Sequence, residues 1–133
     1  MKTTLVTALI LLTTTFAFSS CKDSSYTPPK NVVSAFKAKY PSAKRVEWEV
    51  KNTYQVAEFH IDFTEAEAWF DNNGQWVMTE SDVKYSSLPV VIRNSFESGE
   101  YGKWEVEDVD KLERAGMETI YIIEAERGEQ EVA

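Results

Sequence analysis

Twice along this chain a helix-spaced apolar segment gives way to residues that alternate in polarity, and both times the first alternating segment carries Trp-Glu-Val, at Trp48–Val50 and again at Trp104–Val106. In the first segment Val32, Val33, Phe36 and Tyr40 fall at spacings of three and four, on one face of a helix. Asn31 is a candidate N-cap and Pro41 a stop, which predicts a helix over 31–39. The period then changes to two. Val46, Trp48 and Val50 alternate with Arg45, Glu47 and Glu49, and Ala57, Phe59, Ile61 and Phe63 alternate with Val56, Glu58, His60 and Asp62. A tight turn in "VKNTY" and a hairpin in "FDNNGQW" divide this region into strands near 45–51, 54–63, 65–71 and 75–81.

The order then restarts. Leu88, Val91, Ile92 and Phe96 have helical spacing, with Ser87 as a cap, Pro89 in the first turn and Gly99 at the stop. Strands follow in "YGKWEVEDV", "METIYIIEAERG" and "EQEVA". Val32-Val33 and Phe36 match Val90-Val91 and Phe96, "VEWEV" matches "GKWEV", "YQVAEF" matches "IYIIEA", and "EAEAWF" matches "GEQEVA". The expected architecture is α+β: two tandem helix-plus-antiparallel-sheet units, about 31–83 and 87–133, with both helices on one face of the sheet. The second unit stops where the first makes its "DNNGQW" hairpin, so it is shortened by that hairpin. Trp48 and Trp104 share parity with valines and are expected to sit under the helices.

The segments "AFKAKYPSAKRVEWE", "YQVAEF", "EAEAWFDNNGQWV" and "LPVVI", in this order, resemble the PepSY-like domain of bacterial envelope lipoproteins, related to the β-lactamase-inhibitor-protein-like fold. The resemblance covers about residues 30–133. It implies helices packed on one sheet face with the other face open, a binding or inhibitory role, and no cofactor.

The residues themselves offer little chemistry and one candidate surface. Trp69 shares parity with Glu65, Glu67 and Asp71, opposite to Phe70, and so points to the open face. With Tyr54, Glu58, His60 and Glu67 it forms a candidate aromatic and acidic binding patch, since aromatic residues on a rigid sheet make good interface anchors. His60 is the only histidine, which leaves no His-rich zinc site, and no Gly-x-Ser-x-Gly turn accompanies it. Asp71, Asn73 and Gly74 lack the continuation of a calcium loop and read as a hairpin turn. Glu47, Glu49, Glu58, Glu65 and Glu67 are explained by alternation on exposed strands, without acid–base catalysis. The expectation is therefore a non-enzymatic module that binds an envelope protein through its open sheet face and inhibits it. A small or polymeric ligand in the sheet concavity is the alternative.

With a net charge of −8, the chain repels nucleic acid and anionic membrane surfaces. A membrane tie must then be hydrophobic or covalent, and the N-terminus supplies one. Lys2 precedes an apolar stretch, strongest from Leu5 to Leu12, and small residues lead to Cys21, the only cysteine. The stretch is too short and too Thr-rich for a permanent span, and no intramolecular disulfide is possible. Residues 1–20 resemble a lipoprotein signal peptide, with Cys21 as the lipidated residue, 21–30 as a tether and 31–133 as the domain. The location is the cell envelope, and a monomer is expected because Glu124, Glu126, Glu129 and Glu131 repel a second copy at the sheet edge. Cys21→Ser should move the protein from the membrane fraction to the soluble fraction after envelope fractionation. Continued pelleting of that variant with membranes would disprove the acyl anchor.

Overall fold

In the computed structural model the described residues are 26–133, so the signal segment and Cys21 lie outside the described residues. Two helices, α1 (Lys30–Lys39) and α2 (Val90–Ser98), accompany seven strands. These are β1 (Lys44–Lys51), β2 (Tyr54–Ile61), β3 (Thr64–Phe70), β4 (Trp76–Asp82), β5 (Glu105–Arg114), β6 (Ile120–Arg127) and β7 (Gln130–Val132). All seven form one antiparallel sheet in sequential order. The two units therefore share a sheet, joined where Met78 to Asp82 of β4 pair with Arg114 to Asp110 of β5. The single long excursion among these strands, between β4 and β5, carries a 3-10 turn (Tyr85–Ser87) and α2.

The first unit holds most of the core. Val32 and Phe36 of α1 lie on Ala57 and Phe59 of β2 and on Ala66, Ala68 and Phe70 of β3. Three alanines at the centre of the sheet leave room for the Phe36 ring. It meets Phe59 at 5.0 Å and Trp48 at 5.3 Å, both edge to face. Tyr40 continues this layer against Phe59 at 4.7 Å. Its hydroxyl hydrogen-bonds Thr79, which also accepts from Trp76 Nε1 at 2.8 Å, so the buried threonine is satisfied. The alternation seen in the sequence thus predicts the right face for Trp48, Ala57, Phe59 and Phe70.

Several local expectations shift. Pro29, not Asn31, occupies the N-cap of α1, and Asn31 instead donates to the Asn72 carbonyl at 3.1 Å, tying the helix to the β3–β4 turn. That turn is the expected hairpin: Gly74 has φ +82°, and Asp71 accepts from the Asn73 and Gln75 amides at 2.8 and 2.9 Å. At Gly74 a Cβ would come within 3.1 Å of the Asn31 carbonyl oxygen. Packed structure starts inside the stretch assigned to the tether: the Tyr26 hydroxyl donates to buried Gln55, and Pro28 is buried. Phe63 does not face the core. Asp62 and Phe63 form the β2–β3 turn with φ 48° and 67°, as a tight hairpin requires, and the Phe63 side chain is fully exposed at 106%.

The second unit departs further. Pro89 is the N-cap of α2, while Ser87 closes the 3-10 turn by donating to the Lys84 carbonyl. No residue of α2 is buried, and Val90 and Val91 are 59% and 77% exposed. Leu88, from the approach to the helix, is buried instead, with Val109 and Ala125 of the sheet. Trp104 precedes β5 and is half-buried. It meets Tyr101 at 5.0 Å and the Arg127 guanidinium at 4.8 Å, outside the core cluster that Trp48 adjoins. β5 runs on through "DKLER" because strands pair with it on both sides. β7 is short and pairs only with Ala125 to Arg127.

The two tryptophans of the repeated tripeptide should therefore respond differently to truncation. Trp48→Ala should destabilise by about 3 kcal/mol, as truncations against a core do. Trp104→Ala should cost about 1 kcal/mol, as expected for a half-buried cation–π contact outside the core. Urea denaturation of both variants measures the difference, and equal losses would contradict it.

Candidate functional site: the open sheet face

Facing residues of antiparallel strands lie on the same side of a sheet, so the register fixes the composition of the face opposite α1. Glu47 pairs with Glu58, Glu58 with Glu67, Glu67 with Glu80, Glu80 with Leu112, and Leu112 with Ile120. Four glutamates on four successive strands thus form one row, continued by two aliphatic residues. The neighbouring row is Glu49, Val56, Trp69, Met78 and Arg114. On the other side of the acidic row, Lys44, His60 and Glu65 align across β1 to β3, and Asp82, Asp110 and Ile122 across β4 to β6.

All five residues expected to bind lie on this face. Tyr54 and Trp69 meet with ring centroids 5.9 Å apart, and Glu58 and Glu67 are direct partners. His60 sits one step along, opposite Glu65. Beneath the patch Val56 is fully buried, although it faces away from α1. Single-strand parity misses the other half of the site: Met78, Glu80 and Asp82 of β4, and Asp110, Leu112 and Arg114 of β5. Alternation was visible in β4, but only the β3–β4–β5 register shows that Glu80 completes the row.

One cation organises the acidic side. Lys51 Nζ lies 2.8 Å and 3.0 Å from the two carboxylate oxygens of Glu67 and 3.0 Å from Glu49, with its charge 5.4 Å from the Trp69 ring centre. Burial lowers the Lys51 pKa, but hydrogen bonds to Glu67 and Glu49 outweigh it and hold the pKa above the usual lysine value. Oxygens of Glu49, Glu58 and Glu67 lie within 4.8 Å of one another, a spacing that could suit a metal ion, but the Lys51 ammonium already pairs with Glu49 and Glu67 of this group. Asp82, Asp108 and Asp110 form a second such cluster. There, burial and the charges of Glu80, Asp108, Asp82 and Glu124 push the Asp110 pKa up to about 6. Two polar atoms of the patch, Trp69 Nε1 and His60 Nδ1, are shielded from solvent and make no hydrogen bond among the described residues.

Clefts lie at the margins of this face. One of about 350 Å³ is lined by Ser42, Lys44, Arg45, His60, Asp62 and Phe63. Another, of about 300 Å³, lies on the far side of His60 and Phe63, against Thr64, Glu65, Asp82, Val83 and Lys84.

These features define an α+β protein with helices on one side of an antiparallel meander and a polar, aromatic-bearing sheet face on the other. The chain belongs to the family described as "Putative beta-lactamase-inhibitor-like, PepSY-like", which matches residues 52–133. It is similar to the crystal structure of a BLIP-like protein from Bacteroides fragilis NCTC 9343, with 35% identity and a TM-score of 0.72 over 80% of this chain and 77% of that one. A DUF2874 family protein from Bacteroides ovatus ATCC 8483 gives 36% identity and a TM-score of 0.72 over 79% and 75% of the two chains. A structure from Bacteroides eggerthii DSM 20697, described among "putative periplasmic proteins", gives 25% identity and a TM-score of 0.70 over 77% and 74%. No curated protein matches the chain. No helix among the described residues is long and apolar enough to cross a membrane.

The Asp110 environment predicts a pH dependence. A carboxyl whose folded pKa is raised binds its proton more tightly in the native state, so its contribution to stability is lost as pH rises from about 4 to about 6. Asp110→Asn should therefore raise the melting temperature at pH 7.5 by on the order of a few °C, allowing for solvent screening. It should also shrink the difference between pH 5 and pH 7.5. Thermal melts at the two pH values check this, and an unchanged pH difference would refute the assignment.

Proposed function

We propose that this protein is a non-catalytic binding module of the cell envelope, held by an acyl anchor on Cys21, whose open sheet face engages a cationic surface of an envelope protein. The observation that carries this reading is the row Glu47, Glu58, Glu67 and Glu80. Like charges directly opposite one another on a sheet destabilise it, by roughly 0.2–1 kcal/mol per pair. Lys51 pairs with Glu67 of this row and with Glu49 of the neighbouring one, while Glu80 is exposed at the other end. The direct pairing of like charges acts against the sheet, and a cationic partner would offset its cost.

The face also has the other parts of an interface. Tyr54 and Trp69 offer rigid aromatic surface, while Leu112 and Ile120 extend the row into an apolar margin. Complementary charge would speed encounter and select the partner. The BLIP-like and periplasmic descriptions of the similar structures support an envelope binding role, and the family's inhibitor-like description supports inhibition of the bound protein.

The triple variant Glu58→Gln, Glu67→Gln, Glu80→Gln separates function from stability. It should melt at a higher temperature than the wild type, yet lose capture of envelope proteins that the wild type retains at low salt and releases at high salt. Equal capture by both proteins would overturn the proposed use of this face.

A further inference from the structure

The cleft between the α1–β1 connection and the β2–β3 turn is chemically unlike the rest of the molecule. In a chain of net charge −8 it brings together Lys44 and Arg45 against the single carboxylate of Asp62. Among the described residues, Lys51 and Lys111 form ion pairs, and neither Lys44 nor Arg45 has such a partner. We propose that this cleft binds a carboxylate attached to an apolar group, with Lys44 and Arg45 taking the charge and Phe63 covering the apolar part.

Three further observations converge on it. The first is backbone strain. Four described non-glycine residues have positive φ: Arg45, Asn52, Asp62 and Phe63. Asn52 sits in a tight turn, where asparagine tolerates this conformation. The other three all line the one cleft. Asp62 and Phe63 owe theirs to the hairpin turn, whereas Arg45 takes it outside any turn, as strained residues at ligand clamps do. The irregular pairing of β1 between Lys44 and Glu47 accompanies Arg45 and turns its side chain relative to the strand pleat.

The second is Phe63. A turn at φ 67° favours glycine or asparagine, yet here it carries a fully exposed phenylalanine that the fold does not use. The third is His60. It pairs across the strands with Lys44, lines the cleft, and keeps one ring nitrogen without a hydrogen bond. Rotation of the ring exchanges its two edges, so a carboxylate oxygen could take up that bonding capacity.

The charge balance selects the ligand. Two fixed cations and one fixed carboxylate leave a single positive charge, which suits a monoanion. Asp62 on the wall opposes a phosphate dianion. A volume of about 350 Å³ lies at the small end of ligand sites, sufficient for a carboxylate with one ring or short aliphatic group.

Amide NMR on the ¹⁵N-labelled full chain in detergent tests the site, with 3-phenylpropionate as the probe. Saturable shifts are expected at Arg45, His60 and Phe63. 3-Phenylpropionamide should bind at least tenfold more weakly, and so should 3-phenylpropionate to the Lys44→Gln, Arg45→Gln variant. Phe63→Gly relieves the positive φ, so it keeps the fold and should weaken binding several-fold. The dipeptide acetyl-Ala-Phe, with a free C-terminus, distinguishes sources. Tighter binding than the small acid assigns the carboxylate to a polypeptide end, and equal or weaker binding assigns it to a free organic acid. Equal affinity for the amide, tighter binding of inorganic phosphate, or shifts confined to other residues would overturn the proposal. The Glu58→Gln, Glu67→Gln, Glu80→Gln variant should bind 3-phenylpropionate as the wild type does, so this site and the acidic face stand or fall separately.

Discussion

The insertion of Phe36 over Ala57, Ala66 and Ala68 decides which way the sheet faces. An aromatic ring on α1 needs a shallow bed, and only one face of β2 and β3 has one. Once that face is covered, the side-chain period of two sends every intervening residue to the other side. Tyr54, Glu58, His60, Glu67 and Trp69 are on the open face because Ala57, Phe59, Ala66, Ala68 and Phe70 are under the helix. The open face is thus the complement of the core, and a one-residue slip of either strand would exchange the two.

The acidic row then follows from register rather than from composition. Acidic residues spread over alternating strands are ordinary, and their alignment depends on the pairing. Here the pairing of β1 through β4 aligns one glutamate from each strand. The fold tolerates this because Lys51 bridges Glu49 and Glu67, and because Val56 and Trp69 in the next row supply buried area close by. Apolar packing on one face therefore stabilises a charge arrangement on the other that would not be stable by itself.

Period and turn chemistry made the first unit legible in the sequence. The parity of Phe59 and Trp69, the Asn-Gly hairpin and the helix over Phe36 all follow from nearest-neighbour patterns. What was not legible depends on distant partners. Alternation continues through Phe63, and nothing local says that the strand ends at Ile61. The "DKLER" stretch is too polar to read as strand, and becomes one because β4 and β6 flank it. Trp104 repeats the surroundings of Trp48 in sequence but not in space. Its helix presents Val90 and Val91 to solvent, so there is no second Phe36 layer to cover it. Glu80 and Leu112 join the site through cross-strand register, which a single sequence does not display.

The two ends of β2 differ in a way that bears on orientation. At its start, Gln55 accepts from Tyr26 and donates to Asn72 at 2.9 Å, so the N-terminal segment and the β3–β4 turn meet there. At its other end stand His60 and the Asp62–Phe63 turn. The eight residues of the strand separate these ends by about 25 Å. An acyl group on Cys21 would attach to the chain only a few residues before Tyr26, and would hold the Gln55 end nearest the bilayer. The cationic cleft would then open away from the membrane, with the acidic face running alongside. The anchored N-terminal segment, the acidic face and the cleft would be ordered along a single strand, because Gln55, Glu58 and His60 of β2 belong in turn to the Tyr26 contact, the acidic row and the cleft lining.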